Sequence, residues 1–187
     1  MNESVLIQKC KKNDYSAQLE VYNMYKNMMF NASLRIVRNR HDAEDIVQES
    51  FMKGFEKINQ LKEGVNLGAW LKRIVMNASL DVVRKRKKES WLEETVLIES
   101  DCEEDDFEND SKVTIQFIKD CMEELKEKYR IILVLYMIED YNHREISELL
   151  SMKESTVRNQ YIRGKNILLE MIQKRNKHEF KGIHTGT

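Results

Sequence analysis

The sequence of 187 residues contains no proline and only six glycines, the two residues that most often interrupt a helix. It has no apolar run long enough to cross a bilayer, and Met1 to Ser4 lack the pattern of a signal peptide. The chain is rich in leucine, isoleucine, glutamate, lysine and methionine, and 41% of its residues are hydrophobic. This composition predicts an all-α protein with packed cores and no insertion into a membrane.

Cysteine and histidine are also scarce. No pair of cysteines has the CxxC spacing, which favours a reducing, cytoplasmic environment without a disulfide framework; the three are Cys10, Cys102 and Cys121. No histidine has the HxxxH or HExxH spacing of a zinc site; the four are His41, His143, His178 and His184. Nothing resembles a Ser/His/Asp set or a phosphate-binding glycine loop, so we expect no metal, no cofactor and no enzyme activity.

The formal net charge is only −1, but the charges are segregated along the chain. A basic run covers Arg84 to Lys88, whereas Glu93 to Asp110 contains many acids and no lysine or arginine. This pattern indicates nucleic-acid binding on one part and a flexible acidic linker on another. We therefore predict two small helical domains, at 1–88 and 112–176, joined by a linker at 89–111 and followed by a disordered tail at 177–187.

Two helices are predicted within residues 3–38, with a capped turn at 13–16. The tyrosines and methionines of the second helix are interpreted as core residues. A third helix is predicted at 42–58, with Asp42 and Asp45 as its N-terminal capping signal. Its apolar face consists of Ile46, Val47, Ser50, Phe51, Gly54, Phe55 and Ile58. Its other face carries Asp45, Glu49, Met52 and Glu56, with Gln48 at the margin, and is either simply solvated or a binding surface.

After a loop at 59–68, a helix is predicted at 69–88 with two stripes. The core stripe is Leu71, Val75, Ala78 and Val82. The second stripe combines an aromatic, an amide and cations: Trp70, Arg73, Ile74, Asn77, Asp81, Arg84, Lys85 and Lys88. Cations bind phosphates, an aromatic stacks on bases and an amide bonds base edges, so this stripe suits nucleic acid. Trp70 is alternatively a core residue.

In the second domain, the apolar run Ile131 to Ile138 is predicted to be buried nearly all round. Asn142 and Glu145 fit a capping box that begins a short helix. After a turn at 151–153, a second helix begins near Glu154 and should turn Val157, Tyr161, Ile162, Ile167, Leu168 and Met171 inward. Its polar residues suit base and phosphate contacts in a helix-turn-helix: Arg158, Asn159, Gln160, Arg163 and Lys165. A purely structural helical hairpin is the alternative.

These motifs, in this order, resemble bacterial RNA polymerase sigma factors of the extracytoplasmic function (ECF, group IV) class. Three segments carry the resemblance. Asp42-Ala-Glu-Asp-Ile-Val-Gln-Glu-Ser-Phe51 is similar to family region 2.2, and Ala69-Trp-Leu-Lys-Arg-Ile-Val-Met-Asn-Ala78 to regions 2.3 and 2.4. Glu139-Asp-Tyr-Asn-His-Arg-Glu-Ile-Ser-Glu-Leu-Leu-Ser-Met-Lys-Glu-Ser-Thr-Val-Arg158 is similar to region 4.2.

The resemblance implies a role for each surface. Asp45, Gln48 and Glu49 match the surface that docks on the β′ clamp helices of core RNA polymerase. Asn77 matches a residue that holds an unstacked base of the −10 element, and the loop at 61–68 matches the pocket for a flipped base. Region 4 of the family reads the −35 element and packs on the β flap. The resemblance also implies an anti-sigma factor partner.

The sequence departs from the family in three places. The loop at 61–68 lacks the aromatic and Arg-Gly pattern of many members, Ser151 stands where glycine is common, and Gln160 stands where arginine is common. These differences bear on which promoter is read. A stand-alone helix-turn-helix regulator is the competing interpretation, although such a protein would not need the Asp45/Gln48/Glu49 face beside a basic, Trp-bearing helix.

Overall fold

The computed structural model describes residues 3–62, 64–90 and 115–183, and these residues are helical without any strand. The helices are α1 (Glu3–Lys11), α2 (Tyr15–Val37), α3 (Arg40–Lys57), α4 (Leu67–Ser90), α5 (Ile115–Glu124), α6 (Glu127–Leu133), α7 (His143–Leu150) and α8 (Glu154–Ile183). A 3-10 turn, Ile58–Gln60, follows α3, and a π-helical turn, Val134–Ile138, follows α6. The all-α prediction is confirmed.

Contacts divide the chain into a first unit, Met1–Glu94, and a second unit, Thr95–Thr187. From residue 91 on, the predicted acidic linker lies outside the described residues, as does Cys102. The predicted domain boundaries remain predictions. Helix α8 continues to Ile183 and so includes the first residues of the segment 177–187, for which the sequence predicts a disordered tail. In the described part of the chain, no helix is long and apolar enough to span a membrane.

The core of the first unit lies where α2, α3 and α4 pack against one another, with α1 against α2 and the 3-10 turn. Its fully buried side chains include Met29, Ile36, Leu71, Met76 and Leu80. The predicted core stripe of α4 is confirmed for Leu71 and Val75, which are buried, but not for Ala78 and Val82, which are half-buried. Since α2 and α3 both cover α4, the buried arc is wider than one stripe and is centred on different positions.

Helix α2 is buried along one side only. Its predicted capped turn is confirmed, since the Asp14 side chain accepts a hydrogen bond from the Ala17 amide at 3.1 Å. The prediction that its tyrosines and methionines belong to the core is wrong for Tyr15, Met24 and Met28, which are exposed. Leu19 is exposed as well, because these residues lie away from α3 and α4.

The start of α3 differs from the prediction. The N-cap is Asn39, whose side chain accepts a hydrogen bond from the Asp42 amide at 3.1 Å. Asp42 instead pairs with Arg86 near the end of α4, and Arg86 also donates to the Val37 carbonyl at 3.0 Å. One cation of the basic run therefore ties α4 to the turn between α2 and α3.

In the second unit, α6 and α7 both pack on α8. Ile131 to Leu135 are buried, but Tyr136 and Ile138 are half-buried and Met137 is 49% exposed. The expected burial of the whole run is wrong for its last three residues, because the π-helical turn leads them out of the core.

The inner face of α8 also departs from the prediction. Ile162 and Ile167 are each 37% exposed, whereas Val157 and Leu168 are buried. Gly164 is buried too, and a Cβ there would lie 3.0 Å from Tyr129 Cβ. Glycine thus lets α8 approach α6 closely, at a position that the predicted inward set does not include.

Candidate nucleic-acid and protein interfaces

One face of α3 is polar and exposed over three turns. Asp45, Gln48, Glu49, Met52 and Glu56 are all exposed, while the opposite, apolar face is buried except for half-buried Phe55, as the sequence predicts. Asp45 pairs loosely with His41 at 3.7 Å, and Glu49 pairs with Lys53 at 3.2 Å. Carboxylates and an amide on one helical face can bind cations and amides of a partner helix.

Gln48 also borders a cleft of about 200 Å³ between α2 and α3. Two cations lie over aromatic rings there: Lys26 over Tyr22 at 5.6 Å and Arg40 over Phe30 at 5.2 Å. The remaining lining residues are Asn27, Glu44 and Val47. The exposed face of α3 therefore continues into a concave surface with apolar and charged parts, where a partner side chain can insert.

The outer face of α4 carries the predicted nucleic-acid residues. Arg73, Asn77, Arg84 and Lys85 are exposed, and Arg84 donates to Asp81 at 2.8 Å. Trp70 is half-buried, and its ring packs over Gly54 of α3. Trp70 thus belongs partly to the core, and the nucleic-acid interpretation of the accessible part of its ring stays a prediction. The face presents cations, an amide and an aromatic together.

The loop before α4 is pinned at its ends and exposed between them. Leu61 and Leu67 are buried, whereas Lys62 and residues 64–66 are exposed. Gly64 has φ +78°, a conformation that favours glycine. Asn66 caps α4 by accepting a hydrogen bond from the Ala69 amide at 2.8 Å. Gly68 lies in the first turn of α4, so the loop is shorter than predicted.

Helices α7 and α8 form a helix-turn-helix. The predicted capping box is present, with the Glu145 amide donating to the Asn142 side chain at 3.0 Å and the Asn142 amide to the Glu145 side chain at 2.9 Å. Ser151, at the turn, adopts the left-handed conformation with φ 53°. A non-glycine residue pays roughly 1 kcal/mol for this conformation, so serine is tolerated where glycine would be unstrained.

The candidate reading residues of α8 do not all share one face. Arg158, Asn159 and Lys165 are exposed, while Gln160 and Arg163 are half-buried. At 3.6 residues per turn, Gln160 lies roughly 160° around the helix from Arg158, so one flat surface does not contact both. Glu154 binds Arg158 through Nη2 at 2.6 Å and Nε at 3.1 Å. Glu154 was not predicted as an orienting residue, although its i,i+4 spacing from Arg158 is visible in the sequence.

Residues 21–89 match the model of sigma-70 region 2, and residues 117–168 match that of sigma-70 region 4. The chain belongs to the sigma-70 family. ECF RNA polymerase sigma factor SigW of Bacillus subtilis (strain 168) is 28% identical over 89% of this chain and 95% of its own.

A second B. subtilis relative, ECF RNA polymerase sigma factor SigM, is 28% identical over 80% of this chain and 91% of its own. These relatives agree with assignment of the chain to the ECF class. The fold is also that of sigma factor RpoE from Bartonella quintana, solved with the anti-sigma factor NepR. The TM-score is 0.54 at 22% identity, over 82% of this chain and 95% of that one.

This sigma factor acts in transcription initiation with core RNA polymerase and promoter DNA. The stand-alone regulator would account for the helix-turn-helix but not for the region 2 match at 21–89. Among the residues that the structure describes, no group of His, Cys, Asp or Glu could hold a metal ion.

An aromatic cluster supports the helix-turn-helix of this sigma factor. The His143 ring stacks on Tyr136 at 4.5 Å and meets Tyr161 at 5.1 Å. Its Nε2 is buried and makes no hydrogen bond within the described residues. Burial lowers the pKa of His143, and Arg158 lowers it further, while Glu154 acts in the opposite direction.

Acidification should therefore destabilise region 4. A histidine whose pKa is lowered by folding takes up its proton more readily in the unfolded chain. The free energy of unfolding should thus fall as the pH drops below about 6.5, the ordinary histidine value, until the folded pKa is passed. Urea unfolding from about pH 7.5 to about pH 5 measures this. His143→Phe keeps an aromatic ring and should flatten the dependence; an unchanged slope would contradict the assignment to His143.

Proposed function

We propose that each exposed face of this sigma factor has one partner during initiation. The face of α3 with Asp45, Gln48 and Glu49 binds the β′ clamp helices of core polymerase. The outer face of α4, with Trp70, Arg73, Asn77, Arg84 and Lys85, holds the −10 element. The supporting observation is that these side chains, apart from half-buried Trp70, are exposed on helices whose other sides form the core.

Promoter melting is assigned to the first unit. The loop at 61–68 would receive a base extruded from the −10 element. Asn77, on the outer face of α4, would help to hold an unstacked base. Extrusion costs a few kcal/mol, so a loop already held in shape helps to open the duplex by binding energy alone. In this proposal the protein is a non-catalytic subunit, and bond formation belongs to the polymerase.

The second unit is assigned to the −35 element, through Arg158, Asn159, Gln160, Arg163 and Lys165. Since Arg158 and Gln160 point roughly 160° apart, we assign Arg158 and Asn159 to base edges and the others to backbone or flank contacts. The turn around Ile131 to Ile138 supports the surface for the β flap. The linker at 89–111 would join the two units within the polymerase cleft.

Two further proposals follow from the relatives. The solved RpoE and CnrH structures, which share the fold, are complexes with the anti-sigma factor NepR and the cytosolic domain of CnrY, respectively. We propose that an anti-sigma factor also holds this protein inactive by covering the faces of α3 and α4. The protein would act in the cytoplasm, where core polymerase and promoters are.

The deciding experiment is run-off transcription from a pooled promoter library, with purified core polymerase, with and without this protein. Transcripts that require the protein would support the proposal, and their shared upstream sequences would give the −35 and −10 elements. Neither transcripts nor core binding would leave a stand-alone DNA-binding protein as the better account.

Arg158→Ala should weaken binding to the −35 element by about 1–3 kcal/mol, with the loss confined to one base position. A bidentate arginine discriminates between bases, whereas a phosphate contact does not. Binding of purified protein to −35 duplexes that carry each single base substitution measures the loss. Glu154→Gln is the matched variant, because it weakens the ion pair that orients Arg158 but leaves the arginine in place. A uniform loss across all duplexes would make Arg158 a phosphate contact.

A further inference from the structure

One carboxylate of α1 holds the start of α4. Glu3 Oε1 accepts hydrogen bonds from the Leu67 amide at 3.1 Å and from the Tyr25 hydroxyl at 3.3 Å. Leu67 is the first residue of α4 and is fully buried. A single side chain at the beginning of the chain therefore joins α1, α2 and the end of the loop at 61–68.

The first amides of a helix lack partners within the helix. In α4, Asn66 accepts from the Ala69 amide and Glu3 accepts from the Leu67 amide. A carboxylate is also favoured at the positive end of the helix dipole. The Tyr25 ring packs directly on the backbone of Gly68, since a Cβ on Gly68 would lie 2.7 Å from Tyr25 Cε1. Burial, followed by the charge of Glu3, raises the pKa of Tyr25, so its hydroxyl stays protonated as the donor.

The other end of the loop is held by the same helix. Lys11 Nζ of α1 donates to the Leu61 carbonyl at 3.2 Å, and the Leu61 side chain is buried. Between these two fixed ends, Lys62 and residues 64–66 are exposed. Helix α1 thus spans the base of the loop with one ionic side chain at each end.

We propose that Glu3 is a positioning residue for the −10 pocket: through Leu67 and Tyr25 it sets the conformation of the described loop residues 64–68, and with it the choice of the extruded base. This inference rests on the proposed function of that loop. In this proposal Glu3 acts through the loop and not by contacting DNA. Its effect should therefore appear as a change in discrimination between bases rather than as a uniform loss of binding.

The test uses holoenzyme assembled from core polymerase and each variant, on promoters that differ only at the −10 base that the wild type discriminates most strongly. Glu3→Ala should lower the ratio of transcription from preferred and disfavoured bases by about tenfold, in line with the loss of a hydrogen bond to a charged group. Glu3→Gln should keep most of the ratio, because its amide oxygen can accept both bonds. Glu20→Ala, at an exposed glutamate of α2, should leave the ratio unchanged.

Two further measurements separate positioning from simple loss of stability. Tyr25→Phe removes one of the two bonds but keeps the ring against Gly68, so it should lower the ratio less than Glu3→Ala. Amide hydrogen exchange at Leu67 should be faster in Glu3→Ala than in wild type. An equal loss on all promoters, or an unchanged ratio and exchange rate, would overturn the role of Glu3. A wild-type holoenzyme without any base preference in the −10 element would overturn the proposed function itself.

Discussion

The double substitution Asp45→Lys and Glu49→Lys should raise the Kd for core RNA polymerase by at least about 100-fold. The new lysines would face cations of the polymerase, and like charges that face each other across an interface cost several kcal/mol. Both side chains are well exposed, at 58% and 67%, so the substitutions do not disturb the core. The truncation Asp45→Ala with Gln48→Ala should weaken binding less, since it removes attraction without adding repulsion. Competition with a labelled sigma factor for core polymerase measures both effects.

The helix itself should survive the change. Lysine at position 49 would face Lys53 one turn later, which costs a few tenths of a kcal/mol in a helix, far less than the expected loss of binding. Glu20→Lys with Glu123→Lys makes the same change in net charge on exposed residues of α2 and α5. An equal loss in this control would indicate a general charge effect. Full binding by the α3 variant would refute the assignment of this face.

Added salt should weaken the wild-type complex as well, because the proposed contacts of α3 are between exposed charges. The salt dependence of the double lysine variant should be smaller, as its attractive charges are gone. This comparison separates the ionic contribution of α3 from the apolar contribution of exposed Met52 and the adjoining cleft.

The faces of α3 could be predicted from the sequence because a single wide apolar stripe faces the core and the polar stripe faces outward. The capping residue could not. Asn39 and Asp42 are both good N-cap residues, and the choice depends on Arg86, which pairs with Asp42 from the far end of α4. A local pattern does not contain a partner 44 residues away.

The same limit explains Glu3 and Gly164. Neither the bond of Glu3 to the Leu67 amide nor the contact of Gly164 with Tyr129 follows from neighbours in sequence. The expectation that Ile162 and Ile167 turn inward failed for a related reason. Periodicity identifies an apolar arc, but the arc that is covered depends on where α6 and α7 pack on α8. The polar faces and the helix-turn-helix were predictable because their signals are local.

Several candidate binding residues are held in ion pairs within their own helix. Glu49 pairs with Lys53, Arg84 with Asp81 and Arg158 with Glu154. Exposed pairs of this kind contribute only about 0–1 kcal/mol, so a partner can replace them at small cost. They also restrict the side chains before binding, which lowers the entropy lost on forming the complex.

The second large effect is expected in the core of region 4. Leu133 of α6 is fully buried and lies beside Gly164 of α8. Leu133→Ala should lower the free energy of unfolding of this unit by about 2–5 kcal/mol, through lost apolar contact and the cavity that remains. A helical unit of this size is only marginally stable, so a loss of this magnitude should unfold a large fraction of it. The variant should therefore lose binding to −35 duplexes although every reading residue of α8 is unchanged.

Met137→Ala is the matched control. It lies in the same apolar run, one helical turn after Leu133, but is 49% exposed, so its truncation should change stability by about 0.5 kcal/mol or less. Urea unfolding followed by circular dichroism, together with titration of −35 duplexes, separates the two variants. Equal losses in both would mean that burial is not what makes Leu133 important.

Core binding distinguishes a local from a global effect of Leu133→Ala. The first unit has its own core among α2, α3 and α4, and the proposed clamp-binding face belongs to α3. If each unit is stabilised by its own core, the variant should compete for core polymerase through region 2 while failing on −35 duplexes. Promoters that depend mainly on the −10 element should then keep more activity than those that depend on the −35 element. Joint loss of core binding and −35 binding would instead require that the folding of region 2 depends on region 4.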